Sequence, residues 1–249
     1  MKTVLITGAS SGYGLETARH FHAQGWHVIA TMRTPRKDVL PESPRMQVVA
    51  LDVTSAGSIA AALAQSGPID VLVNNAGIGL FGASEATPMA TIREVFETNT
   101  FGVMAMTQAV LPGFRERGSG LIVNVTSSAV LMPMPLVAPY TASKTAIEGY
   151  TASLALELEA FNIRVKLVQP GYGPTTRFAS NSGHRLEGLV TEPYAPLAQR
   201  MFASLSEMPA FTRETDVAET VWQAANDGTG RLRWPAGADA VALAALSAS

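Results

Sequence analysis

The chain has 249 residues, 47% of them hydrophobic and 15% charged, with 18 Lys+Arg against 20 Asp+Glu and a net charge of −2. That composition supplies a large core and excludes a disordered chain, and the near balance of charge argues against nucleic-acid or anionic-membrane partners. With no cysteine, disulfides, thiolate nucleophiles and zinc–thiolate sites are excluded; the apolar run at the start is shorter than the about 7–15 residues of a leader, so a cytoplasmic protein is expected.

Apolar runs alternate with helical patterns along the chain. Strands are predicted at Thr3–Ile6, His27–Thr31, Gln47–Leu51, Ile69–Val73, Leu121–Val125, Val165–Val168 and Arg231–Trp234. Most are rich in Val, Ile and Leu without strict alternation, as parallel strands covered on both faces require. Helices are predicted at Gly14–Gln24, Ser55–Gln65, Met89–Arg117, Ala142–Phe161 and Thr215–Ala225, with Thr54 and Ser55 as N-cap chemistry and Gly25 and Gly118 as stops. The alternation predicts an α/β fold with a doubly wound parallel sheet of about seven strands, in one domain spanning 1–249. A segment rich in Gly, Pro, Ser and Asn at about 172–210 breaks the rhythm. It reads as a substrate loop holding one or two short helices, or as a surface excursion.

The stretch GASSGYG follows the first strand, where ligands of such sheets bind. Gly8 would allow the turn, and Gly12 and Gly14 would let a pyrophosphate approach the N-terminus of the next helix. Without a ligand this is simply a glycine turn. NAD sites tend to place an acidic residue at the end of the second strand. Here that region reads IATMRTPRK, with no carboxylate. Arg33, helped by the Ser10 and Ser11 hydroxyls, is the candidate clamp for a 2′-phosphate, the alternative being a basic surface loop. Arg36 and Lys37 read as solvated.

Tyr140 and Lys144 lie four apart in PYTASKTAIEG and share one helical face. A phenol titrates near ~10, and a neighbouring ammonium favours the phenolate and lowers that value. Ser127 ends the strand LIVNVTS, where its hydroxyl can reach the same substrate oxygen as the phenol. Ser128 is the adjacent alternative, which the pleat should turn elsewhere. His20, His22, His27 and His184 form no ligand cluster, so no metal is assigned.

The chain resembles the short-chain dehydrogenase/reductase family, a Rossmann-like fold. The resemblance rests on TGASSGYG, LDVT at 51–54, NNAG at 74–77, Asn99 in ETNTFG, Ser127, YTASK and Pro170-Gly171 with Thr175, in family order over nearly the whole chain. NNAGIGLFG and IATMRTP resemble the hydroxysteroid dehydrogenase branch. The resemblance implies that Tyr140 exchanges a proton, Ser127 fixes the carbonyl, and Lys144 holds the ribose and tunes Tyr140. It implies that Asn99 holds a water relaying protons from Lys144, that Asp52 and Val53 meet the adenine, and that Asn75, Ala76 and Gly77 line the adenosine side. Pro170, Gly171 and Thr175 are implied beside the nicotinamide and its carboxamide. Three positions depart from the family pattern: Tyr13 replaces an isoleucine in the glycine loop, Val130 a glycine, and Gly173 a branched aliphatic.

The expected function is an NADP(H)-dependent oxidoreductase interconverting a secondary alcohol and a ketone or aldehyde, NADP(H) being preferred over NAD(H). The alternatives are an NADP(H)-binding regulatory protein without turnover and a lyase or dehalogenase on the same scaffold. Met132, Met134, Leu136, Tyr172, Phe178, Met201 and Phe202 suggest an apolar substrate pocket or core packing. The two long helices carry apolar residues beyond one core-facing stripe, predicting a homodimer or homotetramer.

Overall fold

The computed structural model describes residues 1–176 and 188–247, so Phe178 and His184 lie outside the described residues, as does the Lys37 side chain. The seven predicted strands all form: β1 (Thr3–Ile6), β2 (His27–Met32), β3 (Met46–Ala50), β4 (Val71–Asn74), β5 (Gly120–Val125), β6 (Ile163–Pro170) and β7 (Arg233–Ala236). They make one sheet in the order 3-2-1-4-5-6-7, with every pair parallel. The order reverses between β1 and β4, which leaves a crevice beyond their carboxyl ends.

The helices are α1 (Gly12–Ala23), α2 (Ala56–Ser66), α3 (Met89–Phe96), α4 (Gly102–Arg117), α5 (Ala138–Leu158), α6 (Ala195–Ser206), α7 (Glu214–Asn226) and α8 (Ala238–Ser247). Successive side chains of a strand face opposite ways. Val4 and Ile6 therefore enter one core with Phe21 of α1 and Val217 and Val221 of α7. Leu5 enters the other with Ile59 of α2, Met106 of α4 and Leu154 of α5.

Several boundaries differ from the sequence expectation. The run Met89–Arg117 is interrupted by a π-helical turn at Glu97–Phe101, which separates α3 from α4. Helix α5 begins at Ala138 rather than Ala142, because Pro139 sits in the first turn, where proline loses no helical bond. The last strand is displaced from Arg231–Trp234 to Arg233–Ala236. Helix α8 carries small apolar residues without a sharp helical stripe and was not anticipated. Segment 172–210 holds a 3₁₀ turn at Glu192–Tyr194 and α6.

Polar side chains fix the strand ends that carry the site. Asn74 and Asn124 are register partners in β4 and β5, both buried, and Asn74 Nδ2 donates to Asn124 Oδ1 at 2.9 Å. Asn124 Nδ2 donates in turn to Thr151 Oγ1 of α5 at 2.9 Å, and Asn74 Nδ2 also reaches Thr107 Oγ1 of α4 at 3.3 Å. A buried amide without partners would be costly, so this chain holds β4, β5 and both helices in one register. Among the described residues, no helix is long and apolar enough to cross a membrane.

Candidate active site

The loops after β1 and β4 are laced together. Thr7 Oγ1 accepts the N–H groups of Asn75 and Ala76, each at 3.0 Å. Asn75 Nδ2 donates to the carbonyls of Thr7 at 3.0 Å and Gly8 at 3.2 Å. Gly8 has φ +72°, and a Cβ there would stand 2.8 Å from Ala76 Cα. A Cβ on Gly14 would run into Asn75 Nδ2 and come 2.5 Å from the Gly8 carbonyl oxygen. Gly14 is therefore required for helix–loop packing, whatever lies over the loop. Gly12, at φ +55°, is different: a Cβ there would meet nothing closer than Thr176 Cβ at 3.6 Å. Ser11 occupies the N-cap position of α1, yet its side chain makes no capping bond. The uncrowded backbone at Gly12, a Ser11 hydroxyl that makes no capping bond and the first-turn N–H groups fit the phosphates of a dinucleotide.

At the rim, Arg33 follows β2 and is exposed, with no carboxylate at the strand end. Arg36 directs its charge to Asp38 at 2.9 Å. Asp52 Oδ1 accepts the Thr54 N–H at 3.0 Å and its hydroxyl at 2.7 Å. Those two bonds, backbone first, with help from the Arg33 charge, hold its carboxyl below the usual carboxylate range. Val53 is buried against the start of α4, where a Cβ on Gly102 would stand 2.8 Å from Val53 Cγ2.

The structure brings Ser127, Tyr140, Lys144, Asn99 and Gly77 together. Ser127 leaves β5 in extended conformation, and its Oγ accepts the Ala129 N–H at 3.2 Å. Its hydroxyl is hydrogen-bonded to that of Tyr140, whereas Ser128 is buried. One turn along α5, the buried Lys144 Nζ donates to the Val125 carbonyl at 3.0 Å. A Cβ on Gly77 would lie 3.2 Å from Asn99 Oδ1 and 3.3 Å from Lys144 Nζ, so a side chain here would crowd both groups. The π-helical turn presents Asn99 here. Its Oδ1 accepts the Ile78 N–H at 2.8 Å, and its Nδ2 donates to the Ile78 carbonyl at 3.0 Å and to Ser143 Oγ at 3.1 Å.

Burial dominates the titration of this group. It pushes the Tyr140 phenol up to about 12 against the pull of the Ser127 hydrogen bond, and it lowers the Lys144 amine to about 8. Both shifts disfavour the charged forms.

Beyond β6, Gly171 N–H donates to the Ala236 carbonyl at 3.1 Å and to Thr212 Oγ1 at 3.0 Å. Tyr172 N–H donates to Asp239 Oδ2 at 2.7 Å, and Thr212 Oγ1 donates to Asp239 Oδ1 at 2.6 Å. A Cβ on Gly171 would run into the Asp239 carboxylate, so glycine is required. Pro170 and Gly171 are thus fixed from behind. Thr175 is exposed and donates to Glu214 Oε2 at 2.9 Å at the start of α7.

Three supporting residues escaped the sequence reading. Glu148 Oε1 accepts from Thr126 Oγ1 at 2.8 Å and Gln169 Nε2 at 3.1 Å, while its Oε2 accepts from Arg233 Nε at 3.1 Å. It joins the residues just before Ser127 and Pro170, and its position four after Lys144 was an available signal. Thr212 and Asp239 had none, being remote in sequence from every motif. Of the pocket candidates, Met132, Tyr172 and Phe202 are exposed, and Phe202 lies 5.0 Å from the Phe81 ring. Leu136 is instead core, buried with Ala83 and Ala198, and its φ of +64° is held where its carbonyl accepts the Gly82 N–H at 2.7 Å.

Known proteins share both sequence and architecture with this chain. A 3-ketodihydrosphingosine reductase of Bacteroides thetaiotaomicron is 42% identical over 172 residues, covering 68% of this chain and 62% of its own. Human retinol dehydrogenase 8 is 38% identical over 230 residues, covering 84% of this chain and 74% of its own. The chain thus spans less than two thirds of the first relative and about three quarters of the second. A crystal structure of a short-chain dehydrogenase from Streptomyces avermitilis superposes with TM-score 0.81 at 33% identity, covering 98% of this chain and 90% of that one. Neighbours with either nicotinamide dinucleotide occur. A closed serine dehydrogenase with NADP+ has TM-score 0.76 and 29% identity, covering 93% of each chain. A 3-ketoacyl-(acyl-carrier-protein) reductase of Brucella melitensis with NADH has TM-score 0.77 and 27% identity, covering 95% of this chain and 96% of that one. Residues 2–185 match the family model described as short chain dehydrogenase, and with the laced glycine loop and the Ser127–Tyr140 contact already in place, the chain belongs to the short-chain dehydrogenase family of oxidoreductases.

Proposed function

We propose that the protein is an NADP(H)-dependent oxidoreductase that interconverts an apolar secondary alcohol and its ketone, or an aldehyde and its alcohol. The observation that carries this reading is the Ser127–Tyr140 hydroxyl pair with Lys144 buried one turn away. When bound, the dinucleotide supplies or takes up the hydride. The chain's own residues handle the rest. Ser127 and Tyr140 present two hydroxyls to one carbonyl oxygen, polarising it and fixing its distance from the cofactor. With its pKa held high, the Tyr140 hydroxyl carries a proton at neutral pH and gives it to that oxygen during reduction. Lys144 Nζ and Asn99 Oδ1 both flank Gly77, and from there the amine can bind ribose hydroxyls and pass charge to the proton path. A regulatory protein without turnover would have no need of this buried, costly amine.

The relatives named for 3-ketodihydrosphingosine and retinol carry the names of molecules with long hydrocarbon parts, in line with the exposed apolar side chains Met132, Tyr172 and Phe202. The test is a panel of long-chain ketones and aldehydes, with NADPH consumption followed by absorbance. Failure to oxidise NADPH with any apolar carbonyl, despite NADPH binding, would favour the sensing alternative.

NADP(H) preference rests on Arg33 and the absence of a carboxylate after β2. A charge-assisted hydrogen bond is worth about 1.5–3 kcal/mol, so Arg33→Ala should raise the KM for NADPH roughly ten- to a hundredfold and leave that for NADH nearly unchanged. Equal losses with both, or a wild-type preference for NADH, refute the assignment.

We further propose a homodimer or homotetramer built on α4 and α5. Val103, Met106, Val110, Ile147, Leu154 and Leu158 are covered within the subunit, but Phe101, Leu156 and Phe161 remain exposed at 52%, 73% and 42%. A two-fold pairing would bury the same residues on both copies. Light scattering should show a dimer or larger, and Leu156→Glu should shift it toward monomer. A wild-type monomer with full activity ends this proposal.

A further inference from the structure

Two of the three departures from the family pattern meet in space. Gly173 lies three residues past the end of β6, and its φ is outside the left-handed region, so backbone conformation does not call for glycine there. Space does. A Cβ on Gly173 would collide with the Tyr13 hydroxyl, and would stand 3.0 Å from Cζ of the same ring and 3.2 Å from Thr176 Cγ2. Tyr13 comes from the opposite wall of the crevice, in the glycine loop after β1, and its ring packs on the core beneath α1. It cannot swing away without giving up that packing.

The same two segments approach again at Gly12, where a Cβ would stand 3.6 Å from Thr176 Cβ. Thr176 closes a tight turn, its N–H and hydroxyl both donating to the Gly173 carbonyl, at 3.2 Å and 2.9 Å. Residues 173–176 therefore meet the glycine loop as one unit. Burial, followed by the Tyr140 phenol and then Glu214, pushes the Tyr13 hydroxyl far above its ordinary pKa. Tyr13 is thus a neutral group within electrostatic reach of Tyr140. A dinucleotide with its phosphates at Gly12 and its reacting ring near Tyr140 would run alongside this contact.

We propose that Tyr13 and Gly173 are a size-matched pair across the cofactor crevice, and that the fit between them sets how tightly the dinucleotide is held. The inference rests on the reading of this crevice as a nicotinamide dinucleotide site. A large residue on one wall is matched by the absence of a side chain on the other. Walls already at the right spacing cost nothing to arrange on binding, whereas walls forced apart subtract from affinity. The hydroxyl oxygen and the ring act here by their bulk, since among the described residues no hydrogen bond from that hydroxyl accompanies the contact.

The experiment is a double-mutant cycle on the purified full chain, with Gly173→Val, Tyr13→Ala and the pair, plus Tyr13→Phe as a control. NADPH affinity is measured by nicotinamide fluorescence and calorimetry, and thermal unfolding without added cofactor is followed in parallel. Overpacking by a branched side chain predicts that Gly173→Val weakens NADPH binding about tenfold or more. Adding Tyr13→Ala should recover most of that loss and most of the fall in melting temperature, and Tyr13→Phe should bind like wild type. Losses that multiply in the double variant, or Gly173→Val binding at wild-type strength, overturn the proposal. If Gly173→Val does not fold, recovery of a folded protein on adding Tyr13→Ala supports it and persistent failure overturns it. Wild type that binds neither NADPH nor NADH refutes the dinucleotide reading itself, and the affinity claim with it. Wild-type binding with independent losses refutes only the pairing.

Discussion

Tyr140→Phe should cut turnover by about 10²–10⁴-fold, the usual contribution of a positioned acid–base group, while NADPH affinity moves by less than about threefold. Phenylalanine fills the same space on α5, so neither the packing of the helix nor the glycine loop is disturbed. What disappears is the hydroxyl bonded to Ser127, and with it the phenolic proton paired with that serine. The pH dependence supplies a second check. With the phenol pushed up to about 12 before cofactor binds, carbonyl reduction finds its acid already protonated at neutral pH. Alcohol oxidation needs the phenolate and should accelerate as pH rises. A Phe variant with near-normal kcat on a ketone that wild type reduces would remove Tyr140 from the chemistry.

Lys144→Met should lower turnover by about 10²-fold or more and at the same time change stability in a pH-dependent way. In the unfolded chain this amine titrates near 10.5, and in the fold near 8. Between those values the unfolded state binds more protons, so the lysine protein gains stability as pH rises from about 8 to 10.5. Below 8 it carries the whole cost of a buried ammonium, about 3 kcal/mol as an upper limit. Methionine has no such cost. It does leave the Val125 carbonyl without its donor, a loss of about 1–3 kcal/mol that does not vary with pH. The stability difference between the two proteins should therefore move in favour of lysine across that window. Tyr140 opposes this only above 10, its ordinary value, and does so in both proteins. Denaturant unfolding at pH 7, 8, 9 and 10 decides; a flat difference means that Lys144 is not desolvated in the fold.

What could be read beforehand divides along physical lines. The first six strands and the order of helices were legible because parallel strands buried on both faces leave dense Val, Ile and Leu runs, whereas β7, RWPA, carries none and was displaced by two residues. Ser127, Tyr140 and Lys144 were legible because one strand end and one helical turn place them. The interruption at Glu97–Phe101 was not, since a π turn inserts one residue without changing the amphipathic pattern on either side. The packing of Gly14 on the Asn75 amide was not legible, because a glycine required by protein packing and one required by a phosphate look identical in one dimension. Thr212 and Asp239 were invisible for a related reason: they act on Gly171 and Tyr172 from 41 and 67 residues away, a separation at which a single sequence carries no pairing information. Tyr13 and Gly173 were each noticed alone, and only the fold could show that they are neighbours.

The π turn has a consequence for how this molecule tolerates change in length. One surplus residue in a helix shifts the angular phase of everything beyond it by about 100°. Helix α3 packs on α5, whereas α4 packs on α2, β4 and β5, so the two halves answer to different partners with different required phases. The surplus residue is the phase corrector between them, and Asn99 sits inside it. Losing one residue here would regularise the backbone and yet leave one half or the other facing the wrong way, while the amide that meets Ile78 and Ser143 would rotate off its partners. Gains and losses of residues within connecting loops can be absorbed there. Here length itself is under constraint, and regularity is what the fold gives up to keep an amide in place.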